Sequence, residues 1–337
     1  MKTISLSSNY NYISGYGVVL ESLLGRLPYN VIPRSYGSIS PKFSKYFDKN
    51  VEYSLSVPDL TLMHISNEID VLNPLLYLSF DRDRVLYTMW ESTRVNDLII
   101  EILNRFKCVV VPNTYNKVNF KTQGLTSPIE VVQLFCDTET YVYKKSENRN
   151  KFVFGISNED PRKNLDKVIK CFLKAFKNIN DVELHVKTCS NLPSRVFDSR
   201  IIYNTNKVSK QELRDWYYNL DVYISGATCE GWGMMQQESM CCGRPLICVN
   251  YGGLSEYVNS NNSFEVKYEE VYSTKQWGGF CGKWSEFDED DLIEKLVYCY
   301  NNRDEVKSKG YIASKDAAVF TENRFINNIV NLMNQYV

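Results

Sequence analysis

The chain has 337 residues, enough at roughly 100–200 residues per domain for two domains. Apolar residues make up 44% and charged residues 23%, a composition that sets aside a disordered or fibrous protein. Lys and Arg number 39 against 40 Asp and Glu, so a net charge of −1 gives no global attraction to nucleic acid, and any anion site must be local.

No stretch reaches the roughly 18 apolar residues of a membrane span, and the apolar run after Met1 is too short for a signal peptide. The expectation is a cytoplasmic protein, soluble or attached peripherally to a membrane. The 10 cysteines are scattered without a Cys-x-x-Cys pair. Cys108, Cys171 and Cys248 sit in apolar stretches, which reads as small buried hydrophobes in a reducing compartment. His64 and His185 are the only histidines, so no His-rich metal site is expected.

In chain order, short runs rich in Val, Ile, Phe and Tyr predict strands at 3–6, 60–65, 84–89, 108–111, 129–134, 151–154, 182–186, 200–203, 221–224 and 246–249. Between them lie amphipathic segments. Val95, Leu98, Ile99, Ile102, Leu103 and Phe106 form one apolar stripe at helical spacing, as do Leu165, Val168, Ile169, Phe172, Leu173 and Phe176. Phe325, Ile326, Ile329, Val330 and Met333 repeat the pattern near the end of the chain. Strands alternating with such helices predict two doubly wound α/β domains. The charged, aperiodic stretch 144–151 reads as the linker between them.

The strongest chemical signal runs from Asp221 to Val258. A strand leads into a loop ending in Glu230, Gly231, Trp232 and Gly233. A helix follows from about Met234 to Cys242, with Gly243 placed to cap it and Pro245 beyond. The next strand leads to Gly252 and Gly253. The glycines let a ligand approach the backbone, and free amides of the first helical turn face it, which suits an anion. Glu230 lies at the loop mouth and Glu238 about one turn into the helix. Two carboxylates beside a phosphate site suit the hydroxyls of a sugar and a ribose better than the phosphate itself.

This array resembles the Glu-x7-Glu signature of family 4 glycosyltransferases, group 1 glycosyl transferases of the retaining type. The resemblance implies the GT-B fold: two Rossmann-like doubly wound domains facing a central cleft. It implies a first Glu, here Glu230, on the transferred sugar and a second, Glu238, on the donor ribose. Residues 155–165 resemble the family's segment whose basic residues grip the donor diphosphate, here Arg162 and Lys163. A solvated basic pair at a helix entry is the alternative. The family often has Arg directly after the glycine, where this chain has Ile156. Segments around Thr88, Met89, Trp90 and Glu91, around Val111, Pro112 and Asn113, and at Phe135, Cys136 and Asp137 are also similar to family segments.

The resemblance implies residues 1–146 as the acceptor-binding domain, 147–320 as the nucleotide-sugar-binding domain and 321–337 as a helix crossing back to the first. Donor-binding candidates are Gly15, Gly17, Arg162, Lys163, Glu230, Gly231, Trp232, Gly233, Met234 and Glu238. Catalytic candidates are Glu230, Lys163, Arg162 and His64. Trp90 and Glu91 are acceptor-side candidates. For Gly15 and Gly17 a simple tight turn is the alternative, for His64 a core histidine, and for Trp90 and Glu91 packing.

The implied reaction moves a sugar from a UDP-, GDP- or ADP-sugar to a glycan, lipid or glycoprotein acceptor. It needs no metal or other cofactor, and no nucleic acid. Two rivals stay open: a nucleotide-sugar epimerase on the same fold, and a catalytically silent relative that binds sugar or a partner.

Overall fold

The computed structural model describes residues 2–10, 15–47, 58–62, 84–147, 149–157, 160–188, 196–273 and 282–336. The chain divides into two compact units. One comprises Met1–Phe135, Tyr272–Lys283 and Glu322–Val337, the other Cys136–Val271 and Trp284–Thr321.

In the first unit, β1 (Thr3–Ser8), β2 (Asn30–Ser35), β3 (Asp59–Leu62), β4 (Arg84–Tyr87), β5 (Cys108–Val111) and β6 (Ile129–Val131) form a parallel sheet in the order β2-β1-β3-β4-β5-β6. Every residue of β5 is buried, as expected of a strand covered on both faces. Strand β2 escapes the sequence patterns because it holds Pro33. It lies at the sheet edge, where a missing N–H is tolerated. Helices α1 (Gly15–Arg26), α2 (Asp97–Leu103) and α3 (Thr114–Thr122) connect the strands. The Asn96 side chain caps α2 by accepting from the Leu98 amide at 3.0 Å.

The second unit repeats the plan. β7 (Phe152–Ser157), β8 (Val182–Lys187), β9 (Ile201–Asn204), β10 (Val222–Ser225), β11 (Leu246–Cys248) and β12 (Ser263–Glu265) form a parallel sheet in the order β12-β11-β10-β7-β8-β9. Its helices are α4 (Leu165–Ala175), α5 (Lys210–Tyr218), α6 (Met234–Cys241), α7 (Glu289–Asn301) and α8 (Arg303–Ala317). Strand β12 has three residues and lies at the edge, too short for a periodic signal. A capping box, Ser209 with Glu212, starts α5. Helix α9 (Glu322–Met333) belongs to the first unit, where Glu322 pairs with Arg26 at 2.9 Å and Phe325 packs on Tyr87 and Phe135.

The division between the units falls after Phe135, upstream of the charged stretch. Residues 142–146 are held within the second unit instead of hanging free. The Tyr218 hydroxyl donates to the Val142 carbonyl at 2.9 Å, Arg244 to Lys144 at 3.0 Å, and Ser146 to Asp221 at 2.9 Å. Polar side chains answering polar backbone leave no apolar period to read.

Helix α4 shows how sequence becomes packing here. Leu165, Val168, Ile169 and Phe172 are buried, while Lys170 faces solvent. The Phe172 ring, fully buried, meets Phe154 and Phe176 with centroids 6.3 and 5.3 Å away. Burying such a ring contributes about 1.5–3 kcal/mol, and truncating it also leaves a cavity. Phe172→Ala should therefore cost about 3–5 kcal/mol of stability in the second unit, read by chemical denaturation.

Candidate functional site

In parallel α/β sheets ligands bind outside the carboxyl ends of the strands. In the second unit, β7 and β10 end at Ser157 and Ser225, side by side in the sheet. Each opens into a loop, and the two loops are zipped together. After β7, Asp160 caps the short helical turn Pro161–Lys163 by accepting from the Arg162 amide at 2.9 Å. Asn164 ends that turn in the left-handed region, φ 51°, and its side chain donates to the Gly226 carbonyl at 3.1 Å. The Thr228 amide donates to the Arg162 carbonyl at 3.0 Å. A Cβ at Gly226 would stand 2.6 Å from the Lys163 carbonyl, so only glycine allows this approach.

After β10, the loop reaches Gly233, whose φ of 87° requires glycine and starts α6. The Tyr257 hydroxyl lies 2.9 and 2.8 Å from the Trp232 and Gly233 carbonyls. The turn Gly252–Glu256 lies flat on the loop. The Gly253 amide donates to the Glu230 carbonyl at 2.7 Å, and a Cβ there would stand 2.4 Å from the Gly231 oxygen. As the sequence predicts, Gly243 ends α6, with φ 82°.

The loops bring Arg162, Lys163 and Glu230 to one point. Arg162 Nη1 is 3.4 Å from Glu230 Oε2, and Lys163 Nζ is 3.6 Å from Oε1. Gln236 Nε2 donates to Oε1 at 3.0 Å. Glu230 is 7% exposed. Burial, the largest influence, pushes its pKa up. Lys163 and then Arg162, with the hydrogen bonds from Gln236 and Arg162, outweigh it and hold the carboxyl below the usual range. At neutral pH it is an anion held between two cations at the tip of a helix.

Glu238 is the opposite case. It is partly buried and accepts a hydrogen bond from the Tyr217 hydroxyl at 2.9 Å. Burial raises its pKa to about 7, against the Tyr217 hydrogen bond and Lys210, and Asp137 adds to the rise. The two carboxylates thus differ in kind: Glu230 carries fixed charge, and Glu238 titrates near neutrality.

The remaining candidates are placed as follows. Gly231 and Gly233 belong to the loop, and Met234 opens α6, partly buried. The Trp232 ring is buried against Tyr257 and Phe320, its Nε1 donating to Gln237 Oε1 at 2.7 Å. Only its backbone is left to face a ligand. Ile156, at the place of the missing arginine, is 1% exposed on β7 and supplies no cation. In the first unit, Gly15 opens α1 and Gly17 is buried in it. Trp90 is a core residue whose Nε1 donates to Ser92 and to the Arg94 carbonyl, and Glu91 is partly buried beside it. His64 lies outside the described residues.

The sequence reading missed Gln236, Asn164, Asp160 and Tyr217. Asp160 followed by Pro161 was a legible helix-start signal. Two adjacent glutamines inside a short buried helix were the signal for Gln236. Among the described residues no cluster of His, Cys, Asp or Glu could hold a metal ion, and no helix is long and apolar enough to cross a membrane.

Residues 198–271 match the family model for glycosyl transferases group 1. A stretch of 144 residues is 26% identical to the UDP-N-acetylglucosamine–peptide N-acetylglucosaminyltransferase GtfA subunit of Limosilactobacillus reuteri subsp. suis, covering 41% of this chain and 28% of that protein. The curated relatives are all spanned for well under two thirds of their length. Among solved structures, sucrose-phosphate synthase from Thermosynechococcus elongatus superposes with a TM-score of 0.71 at 12% identity over 99% of both chains. The pneumococcal O-GlcNAc transferase GtfA, in complex with UDP and GlcNAc, gives 0.59 at 13% identity over 83% of this chain and 57% of that one. The fold is GT-B, and the matched segment is of the group 1 glycosyl transferase type.

A folded-state pKa near 7 for Glu238, against 4.5 for an ordinary glutamate, means the folded protein holds that proton more tightly between those values. Its contribution to stability is therefore present below pH 4.5 and lost as pH rises through 7. Relative to wild type, Glu238→Gln should melt progressively higher as pH rises across this window, and thermal unfolding from pH 5 to about 8 measures it.

Proposed function

We propose that this chain is a retaining glycosyltransferase that moves a sugar from a nucleotide-sugar donor to a glycan, lipid or protein-linked acceptor. The observation that carries the reading is the Glu230 carboxylate held by Arg162 and Lys163 at the tip of α6. A departing nucleoside diphosphate needs cations and amide donors where its charge develops, and the sugar needs an acceptor for its hydroxyls. Both stand within one loop pair.

In this reading Arg162, Lys163 and the amides that follow Gly233 stabilise the leaving diphosphate. Glu230 orients the transferred sugar, and Glu238 accepts from the donor ribose. No carboxylate is assigned as a covalent nucleophile, so substitution proceeds on one face of the sugar. With the charge of the leaving group met by protein groups, the proposed reaction uses neither metal nor cofactor. The donor we favour is UDP-linked, because the GtfA proteins similar to this chain are described with UDP-N-acetylglucosamine or with UDP and GlcNAc. GDP- and ADP-sugars are the other candidates. We place the protein in the cytoplasm, soluble or at a membrane surface.

The test has two arms. A thermal-shift panel of UDP-, GDP-, ADP- and dTDP-sugars should show selective stabilisation by one nucleotide class, since a ligand at 100 times its Kd adds about 2.7 kcal/mol. Lys163→Ala and Glu230→Gln should each lower sugar transfer by roughly 10²-fold or more while the fold is retained. Wild-type turnover in both variants would overturn the reading, and donor conversion without an acceptor product would point to an epimerase.

A further inference from the structure

Gln236 is a costly residue where it stands. It is 2% exposed in α6, and its Oε1 has no hydrogen-bond partner among the described residues. A buried acceptor left unsatisfied is destabilising, which an apolar side chain of similar shape would avoid. Local rules broken in this way mark functional positions. The other end of the amide shows what is gained. Nε2 donates both to Ser225 Oγ at 2.9 Å and to Glu230 Oε1 at 3.0 Å. The carboxylate accepts only, so the amide nitrogen must be the atom that faces it. One side chain thereby ties the end of β10, the mouth of the loop and the first turn of α6.

We propose that Gln236 is a positioning residue for Glu230, serving the sugar-transfer step and not nucleotide binding; this rests on the donor-site reading above. Before a donor arrives, Glu230 is held by Arg162, Lys163 and Gln236 together. A diphosphate draws the two cations toward itself. Gln236 is neutral and buried, so it stays, and keeps the carboxylate aimed at the sugar hydroxyls. A neutral donor suits this role because it offers the diphosphate nothing. The neighbouring Gln237 fixes the same loop from the other side, accepting from Trp232 Nε1 at 2.7 Å and donating to the Ala317 carbonyl at 3.1 Å.

The experiment compares the full chain with Gln236→Leu and Gln236→Glu, measuring UDP affinity by calorimetry and sugar transfer across pH. Gln236→Leu should bind UDP as wild type does and lose roughly 10²-fold in kcat, the cost of a misplaced reacting group. Gln236→Glu puts a second carboxylate against Glu230, and the two must share a proton. Its transfer rate relative to wild type should recover as pH falls. Wild-type kcat in Gln236→Leu, or UDP affinity lost in step with kcat, would overturn the proposal, as would a flat pH ratio for Gln236→Glu. If the wild-type chain binds no UDP and transfers no sugar, it is the donor-site reading that fails.

Discussion

The site is organised around one desolvated carboxylate. Removing Glu230 from water costs several kcal/mol, and only close charges and hydrogen bonds offset this. Charges at 3.4–3.6 Å attract by about 5 kcal/mol at an effective dielectric near 20. To bring Arg162 and Lys163 that near, the loop after β7 must lie on the loop after β10. That contact leaves no room for a Cβ at Gly226, and Gly253 lies as close to the loop on its other side. The glycines, the left-handed Asn164 and the Asp160 cap are thus consequences of one electrostatic requirement. Losing a single partner from such a cluster is costlier than never building it, because the other charges remain buried.

In the proposed reaction the same cluster orders the site before a dianion arrives. Two cations aimed at open space would repel each other and loosen the loops. Glu230 neutralises one of the two charges and keeps both side chains ordered. In the proposed reaction the diphosphate competes with Glu230 for them, and the carboxylate then has hydrogen-bonding capacity to offer a sugar. Ordering groups before the reaction spares their reorganisation during it.

Much of this was legible in sequence because it rests on local rules. The run Cys108 to Val111 read as a buried strand, the 3.6-residue stripe of α4 as a helix, and Gly243 as a cap, and the structure has each of them. That Glu230 shares a site with Arg162 and Lys163 was legible only through the resemblance, since 67 and 68 residues separate Glu230 from them and no local pattern spans that distance; the ion pairs themselves came from the structure. What the sequence hid was direction. Trp232 stands in the signature, yet its ring turns into the core because its N–H finds Gln237 and its faces find Tyr257 and Phe320. Gln236 stands beside it and turns toward the site. Residues that adjoin in the motif, Gln236 and Gln237, thus face different partners, Glu230 and Trp232. Strand β2 was hidden for another reason: Pro33 argues against a central strand, but the edge position makes it harmless.

The two glutamates also show how one loop and the helix it leads into can hold two kinds of carboxylate. Glu230 sits before the helix, within reach of cations from the neighbouring loop. Glu238 sits within it, against α5, where its hydrogen-bonding partner is a phenol. A phenol stabilises the anion less than a guanidinium does, so burial prevails and Glu238 keeps its proton near neutrality. The backbone that carries that phenol is held in turn by Arg244. Its guanidinium, 1% exposed, donates to the carbonyls of Tyr217 and Tyr218 at the end of α5, and to Lys144 and Gly243. A planar fork with five donors can bind four carbonyls at once, which a lysine could not. The arginine touches neither carboxylate, yet it anchors the helix end that places the Tyr217 hydroxyl on Glu238. Through it, the turn that follows α6 is tied to the helix end that carries the hydrogen-bonding partner of Glu238.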